Sequence, residues 1–242
     1  IIIFSINFIS NIMVIPCGTN IGCFGSVDQE TGRAKLGVDP NTKLVMYAGR
    51  FDERKGIETL VRAVAREEVR HHKNLKLMIV GGSTPGAKDG IEKNRITEIV
   101  EELGIAEITE FTGRVRHEDL AYYYAAADVC VVPSHYEPFG VVAIEAMASR
   151  TPVIASNVGG LKFSVADHKT GLLVPPQDEI ALAKAINSIL ADDKWREELG
   201  ENARKRVEAK FSWNGVASQL DQQYMQELSK LCANLGLLES AG

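Results

Sequence analysis

The stretch that decides the fold reads Val129-Cys130-Val131-Val132, Pro133-Ser134-His135-Tyr136 and Glu137-Pro138-Phe139-Gly140-Val141-Val142-Ala143-Ile144-Glu145. It predicts a buried strand, a loop and then a helix from near Gly140 to Ser149. The free backbone N–H groups at the start of such a helix favour negatively charged ligands. Glu137 in the loop and Glu145 in the helix add acceptors suited to sugar hydroxyls. Two acids on a solvated helix face are the alternative, but the order of the elements favours a binding site.

Apolar runs alternate with helical patterns along the rest of the chain. The predicted strands cover residues 44–48, 75–80, 108–112, 129–132, 153–155 and 172–174, and the predicted helices cover residues 57–70, 91–103, 118–126, 141–149 and 180–190. Strands that are apolar throughout and alternate with helices indicate βαβ units around a parallel sheet covered on both faces. We therefore predict a three-layer α/β fold whose ligands bind beyond the carboxyl ends of the strands.

The loop after the first of these strands is highly charged and reads Gly49-Arg50-Phe51-Asp52-Glu53-Arg54-Lys55-Gly56. Arg50 and Lys55 flank a tight turn, and Gly56 lets the following helix start close to a bound group. A guanidinium and an ammonium together suit a diphosphate. A solvated charged loop is the alternative interpretation.

The loop after the second strand, residues 81–88, resembles a phosphate-binding P-loop without being one. Ala87 stands where that motif requires lysine, and the spacing of the glycines does not fit a dinucleotide fingerprint either. We interpret the segment as a flexible loop over the edge of the sheet that contacts ligand through Gly81.

Two more loops that follow strands contain glycine. Gly113 allows backbone groups to meet the edge of a flat base, and Arg114 beside it is either a ligand contact or a surface charge. Gly159 and Gly160 permit close approach, although a plain turn is the favoured interpretation.

Composition and charge limit the function. The chain has 242 residues, 45% of them hydrophobic and 24% charged, with a net charge of −5 that argues against a general nucleic-acid binder. The four cysteines form no C-x-x-C pair and have no histidine at metal-ligand spacing, so we interpret them as reduced cytosolic thiols.

Residues 1–15 are almost wholly apolar, and we interpret them as a truncated or mis-started end rather than a signal peptide. Tyr122-Tyr123-Tyr124 covers three faces of a helix, which favours packing.

Several short motifs occur together between residues 14 and 228: Gly49-Arg50 with Lys55-Gly56, Phe111-Thr112-Gly113-Arg114-Val115, Pro133-Ser134, Glu137 with Glu145, Thr151-Pro152-Val153-Ile154-Ala155, Gly159-Gly160 and Gly171-Leu172-Leu173-Val174-Pro175-Pro176. Their combination resembles the donor-binding half of a family 4 retaining glycosyltransferase, although no single motif is specific. The resemblance implies the GT-B fold, in which two Rossmann-like domains face each other and the C-terminal one binds the nucleotide sugar.

The resemblance also implies roles for the charged candidates. Arg50 and Lys55 would hold the diphosphate, and Glu145 would accept both ribose hydroxyls. Glu137 would hold the hexose and would form the catalytic set together with Arg50 and Lys55. No cofactor and no metal is expected, because the nucleotide sugar is itself the substrate.

Backbone groups complete the implied site. Those of Phe139, Gly140 and Val141 would contact the hexose, and Val115 would meet the base. Gly81 and Arg114 are the remaining candidates for substrate contact.

The chain departs from the family pattern in two places. Asn20 stands where the linker motif usually has aspartate. The N-terminal acceptor domain is missing, with residues 1–11 in place of its end, while the helix over residues 213–231 resembles the terminal helix that crosses back to that domain. We therefore predict a linker over residues 1–25, a nucleotide-sugar-binding domain over residues 26–210 and a crossover helix and tail over residues 211–242.

The resemblance implies transfer of a hexose, with retention, to a sugar or glycolipid acceptor. UDP-glucose is the favoured donor and GDP-mannose the second. A cytoplasmic location follows, with peripheral membrane association only through the missing domain. The alternatives are a non-catalytic nucleotide-binding module and a UDP-sugar epimerase. Glu137 discriminates the first of these, because only a site that handles a sugar needs a second carboxylate.

Overall fold

A computed structural model describes residues 2–4 and 13–234 of the chain. The strands are β1 Ile2–Phe4, β2 Met13–Ile15, β3 Lys43–Ala48, β4 Leu75–Val80, β5 Thr109–Gly113, β6 Val129–Val132, β7 Val153–Ser156 and β8 Gly171–Val174. Strands β3 to β8 pair in parallel in one six-stranded sheet. The predicted parallel sheet is therefore confirmed, and each predicted strand lies within one residue of an observed one at both ends.

The order of the strands is β5-β4-β3-β6-β7-β8. The chain runs outward from β3 to the β5 edge, then crosses back to β6 and runs outward to the β8 edge. The loops after β3 and β6 lead to helices on opposite faces of the sheet, which makes this the topological switch point, where ligands of such sheets usually bind. This switch point brings residues 49–56 next to residues 133–140.

The helices are α1 Gln29–Leu36, α2 Ile57–Ala65, α3 Glu67–Arg70, α4 Lys88–Glu102, α5 Leu120–Ala126, α6 Val141–Ala148, α7 Leu161–Ser164, α8 Glu179–Ala191, α9 Asp193–Lys210 and α10 Trp213–Asn234. Helices α2, α3, α4 and α8 pack on one face of the sheet, and α1, α5 and α6 pack on the other. The core between the sheet and α2, α3, α4 and α8 is the first core, and the core between the sheet and α1, α5 and α6 is the second core. Along β3, Val45 and Tyr47 pack into the first core, while Leu44 and Met46 pack into the second. This alternation on a fully buried strand produces the three layers.

Helix α1 is a correction to the sequence analysis, which predicts no helix before residue 57. Asp28 caps the helix by accepting from the backbone N–H of Thr31, and Gly37 ends it in the left-handed conformation. Arg33 is buried in spite of its charge, because its guanidinium bonds to the Asp128 carboxylate at 2.8 Å. A long-range ion pair therefore fixes a helix whose composition does not predict it.

Other differences are smaller. The helix predicted over residues 57–70 is divided at Arg66, whose backbone is extended with ψ 149°. Helix α9 was not predicted, and within the apolar N-terminal segment β1 and β2 form an antiparallel pair. No helix in the described part of the chain is both long and apolar enough to cross a membrane.

Candidate functional site

The loops that follow β3 and β6 are in direct contact. The backbone N–H of His135 donates to the carbonyl oxygen of Arg54 at 2.8 Å. Gly56 has φ 67°, and a Cβ at this position would lie 2.0 Å from the carbonyl oxygen of Pro133. Only glycine fits there, because both the backbone conformation and the space exclude a side chain. The two charged segments predicted separately from the sequence therefore form one surface.

Lys55 and Glu137 form an ion pair across this contact. The Lys55 ammonium donates to Glu137 Oε2 at 2.6 Å, and the two side chains are 26% and 14% exposed. Arg50 is exposed, and its guanidinium has no hydrogen-bond or ion-pair partner among the described residues. The three predicted catalytic side chains are thus placed on the two loops of the switch point, two of them paired and one available to an anion.

Two glycines shape the loop that carries Glu137. The backbone N–H of Gly160 donates to the carbonyl oxygen of Glu137 at 3.0 Å. A Cβ at Gly159 would lie 2.1 Å from that same oxygen, and a Cβ at Gly160 would lie 2.4 Å from the Cα of Phe139. The two glycines therefore let this segment pack closely against the loop that carries Glu137. This packing is a further role beyond the plain turn favoured from the sequence.

The start of α6 faces the same surface. Gly140 precedes the helix with φ 90° and provides no side-chain cap. Val141 is 43% exposed, whereas Phe139 is buried and packs edge-on against Phe211. The N–H groups of Val141 and Val142 are therefore not satisfied by a capping side chain and can donate to an anion or a hydroxyl, whereas that of Ala143 donates to the carbonyl oxygen of Gly140 at 3.0 Å.

Glu145 lies deeper, just over one turn into α6, and is 5% exposed. Its Oε1 is 3.0 Å from His117 Nε2, and its Oε2 accepts from the Tyr124 hydroxyl at 3.0 Å. Burial raises the pKa of the Glu145 carboxyl, and the two hydrogen bonds oppose that shift.

The sequence analysis missed both partners of Glu145. His117 was not considered, and Tyr124 was assigned to packing alone. Tyr124 is indeed fully buried, but its hydroxyl has a specific acceptor. The available signal was a tyrosine on an otherwise apolar helix face, since a buried phenol needs a partner.

The residues predicted to meet the base lie at the β5 edge. Arg114 and Val115 line a cleft of about 420 Å³ together with Thr112 and Tyr123. Gly81 lies inside this edge, where a Cβ would be 2.1 Å from the carbonyl oxygen of Gly49. Gly81 is therefore required for close packing of the loops after β3 and β4, whatever its contact with a ligand.

The described residues contain no group of three or more histidine, cysteine, aspartate or glutamate side chains that could hold a metal ion.

Comparison with known proteins identifies the family. A family model described as glycosyl transferases group 1 matches residues 28–206. The chain belongs to the group 1 glycosyltransferases. Its fold is that of the C-terminal half of a GT-B enzyme, as the motifs implied.

Several relatives of this group 1 glycosyltransferase are informative. The D-inositol 3-phosphate glycosyltransferase of Corynebacterium jeikeium is 39% identical over 217 residues, which are 88% of this chain and 51% of that protein. The solved sucrose-phosphate synthase of Thermosynechococcus elongatus is 52% identical with a TM-score of 0.80, over 89% of this chain and 52% of that one. Anabaena HepE, solved with UDP and glucose, is 26% identical with a TM-score of 0.74, over 86% of this chain and 55% of that one. The chain thus spans about half the length of these relatives.

Proposed function

We propose that this chain binds the nucleotide-sugar donor of a retaining hexosyltransferase. The observation that carries the proposal is the Lys55–Glu137 ion pair at the switch point, with Arg50 on the same loop as Lys55 and the uncapped start of α6 following Glu137. Two cations and free helix N–H groups suit a diphosphate, and the adjacent carboxylate suits the hydroxyls of a hexose.

We propose UDP-glucose as the first donor and GDP-mannose as the second. HepE has been solved with UDP-glucose, which supports the first choice. The β5 cleft lined by Arg114 and Val115 lies two strands away from β3, a separation of roughly 10 Å at the usual strand spacing. That separation suits a base in the cleft and a diphosphate at Arg50 and Lys55.

The chain's own side chains account for part of the chemistry. Breaking the bond between the anomeric carbon and the diphosphate leaves positive character on the sugar and negative charge on the leaving group. Arg50 and Lys55 would stabilise that negative charge, which develops where they already lie. Glu137 and the backbone of Phe139, Gly140 and Val141 would orient the hexose.

We propose a phosphorylated sugar or polyol as the first acceptor to test. Sucrose-phosphate synthase and D-inositol 3-phosphate glycosyltransferase both have a phosphorylated compound in their names, and both are similar to this chain over more than four fifths of its length. A glycolipid acceptor is the second choice. Acceptor binding would need the other domain of the GT-B fold, through which any contact with a membrane would also occur. A cytoplasmic location is proposed on the family resemblance and on the absence of a C-x-x-C pair from the sequence.

Isothermal titration calorimetry with UDP, GDP and ADP, followed by their hexose conjugates, tests the proposal. We expect UDP to bind best and UDP-glucose to bind more tightly than UDP. Arg50→Ala should lower affinity for UDP at least tenfold and leave uridine unaffected, because a charge-assisted bond to phosphate contributes about 1.5–3 kcal/mol. Equal losses for UDP and uridine would make Arg50 a structural residue. Identical affinity for UDP and every hexose conjugate would favour a nucleotide-binding module that does not handle sugar.

A further inference from the structure

The Glu145 carboxylate is held from both sides within the second core. Tyr124 of α5 donates to Oε2, and His117 of the turn before α5 lies 3.0 Å from Oε1. A carboxylate offers about four lone-pair positions. One position therefore remains free on each oxygen, which matches the two adjacent hydroxyls of a ribose.

The two partners of the carboxylate are not equivalent. Tyr124 is 0% exposed, and burial, followed by the charge of Glu145, raises the pKa of its hydroxyl well above its usual value of 10. Its hydroxyl therefore remains a donor at every working pH. The His117 side chain is 71% exposed, so it is the partner that solvent or a ligand can reach. Tyr124 is the fixed partner and His117 the exchangeable one.

Phe24 contacts both partners from the segment that precedes α1. Its ring meets the His117 ring edge-on at 5.2 Å between centroids, and the Tyr124 ring at 5.8 Å. Phe24 is itself 1% exposed, and its carbonyl oxygen accepts from the Ser149 hydroxyl at 2.6 Å. Because close-packed rings have little freedom to shift, Phe24 limits the movement of the tyrosine that holds the carboxylate.

We propose that Tyr124 is a positioning residue for nucleoside binding: its hydroxyl orients the Glu145 carboxylate toward the two ribose hydroxyls, and Phe24 keeps the Tyr124 ring in place. This inference rests on the proposed donor function. Its competitor is a purely structural role, in which Glu145 only satisfies a buried phenol. The two differ in whether the hydroxyl of Tyr124 affects recognition of the ribose hydroxyls in particular.

The test compares UDP with 2′,3′-dideoxy-UDP, which lacks both hydroxyls. By calorimetry, Tyr124→Phe should lower affinity for UDP about fivefold, the equivalent of one ordinary hydrogen bond, and leave the dideoxy ligand within twofold of wild type. Phe24→Leu should move the ratio of the two affinities in the same direction. The control is Tyr224→Phe, the same chemical change on α10, which should leave the ratio unchanged.

Each outcome decides a different statement. A wild-type protein that binds neither nucleotide overturns the donor function and this inference together. A wild-type protein that prefers UDP, with Tyr124→Phe preserving that preference in full, overturns the inference alone. Equal losses for both ligands in Tyr124→Phe, accompanied by a lower Tm, would make Tyr124 structural. Loss confined to UDP supports the positioning role whether or not the Tm falls, because removal of a buried hydrogen bond lowers stability in either case.

Discussion

Replacing Glu137 by glutamine should tighten the binding of a nucleoside diphosphate. In the free protein the Lys55 ammonium is bonded to the Glu137 carboxylate at 2.6 Å. A diphosphate must therefore share the ammonium with that carboxylate or displace the carboxylate from it. Glutamine keeps the shape of the side chain but releases the ammonium. It also removes a negative charge from the place where the phosphates would lie.

The size of the effect follows from Coulomb's law. A phosphate bonded to Lys55 on its open side would lie roughly 5 Å from the Glu137 carboxylate, where two unit charges interact by about 1–3 kcal/mol for effective dielectric constants of about 80 to 20. The pair is only partly buried, which favours the lower part of that range. We therefore expect about a tenfold gain in affinity for UDP, which corresponds to about 1.4 kcal/mol.

Calorimetric titration with UDP and uridine at low and high salt checks this value. The gain should appear with UDP only and shrink as salt screens the charges. UDP-glucose should gain less than UDP, since Glu137 would also hold the hexose. The matched control is Glu110→Gln, which breaks the ion pair to Lys76 on the adjacent strand β4. The reasoning would be refuted if Glu137→Gln left UDP binding unchanged or weaker, or if it raised the affinity for uridine as much as the affinity for UDP.

Three further predictions concern metal, pH and backbone. EDTA should change UDP affinity less than twofold, because two side-chain cations can neutralise the diphosphate; a larger loss, restored by Mg²⁺, would contradict this. Because burial raises the folded-state pKa of Glu145, its contribution to stability is present in acid and lost as pH rises through that pKa. Near neutral pH, Glu145→Gln should therefore raise the Tm in a thermal scan, by about 2–4 °C for each kcal/mol gained in the free energy of unfolding. The difference in Tm from wild type should vanish towards about pH 4. Gly159→Ala should destabilise by about 2 kcal/mol or more, since its Cβ would meet the Glu137 carbonyl oxygen at 2.1 Å, whereas Gly37→Ala, in open space, should show only the backbone strain in the same denaturant titration.

The sheet could be predicted from the sequence because burial on both faces leaves an uninterrupted apolar run. Residues 75–80 and 129–132 were predicted with the bounds that β4 and β6 have in the structure. Such runs depend on local composition only. Helix α1 could not be predicted in that way, because the buried Arg33 is stabilised by an ion pair with Asp128, a residue 95 positions away. Asp28 and Gly37 are local signals at the two ends of α1, but the burial of Arg33 between them depends on a residue that is distant in sequence.

The candidate site could be predicted as a set of residues but not as a set of contacts. Arg50, Lys55 and Glu137 were each assigned to a ligand because each loop was considered separately. The order of the strands places β3 beside β6, and a lysine and a glutamate 82 positions apart then neutralise each other. The contribution of Lys55 to the free energy of diphosphate binding is consequently the difference between two states, one in which Lys55 is bonded to Glu137 and one in which it is bonded to phosphate. Assigning the full strength of a charge-assisted bond to Lys55 would overstate its contribution, whereas Arg50, which has no such partner among the described residues, should contribute more of what its chemistry allows.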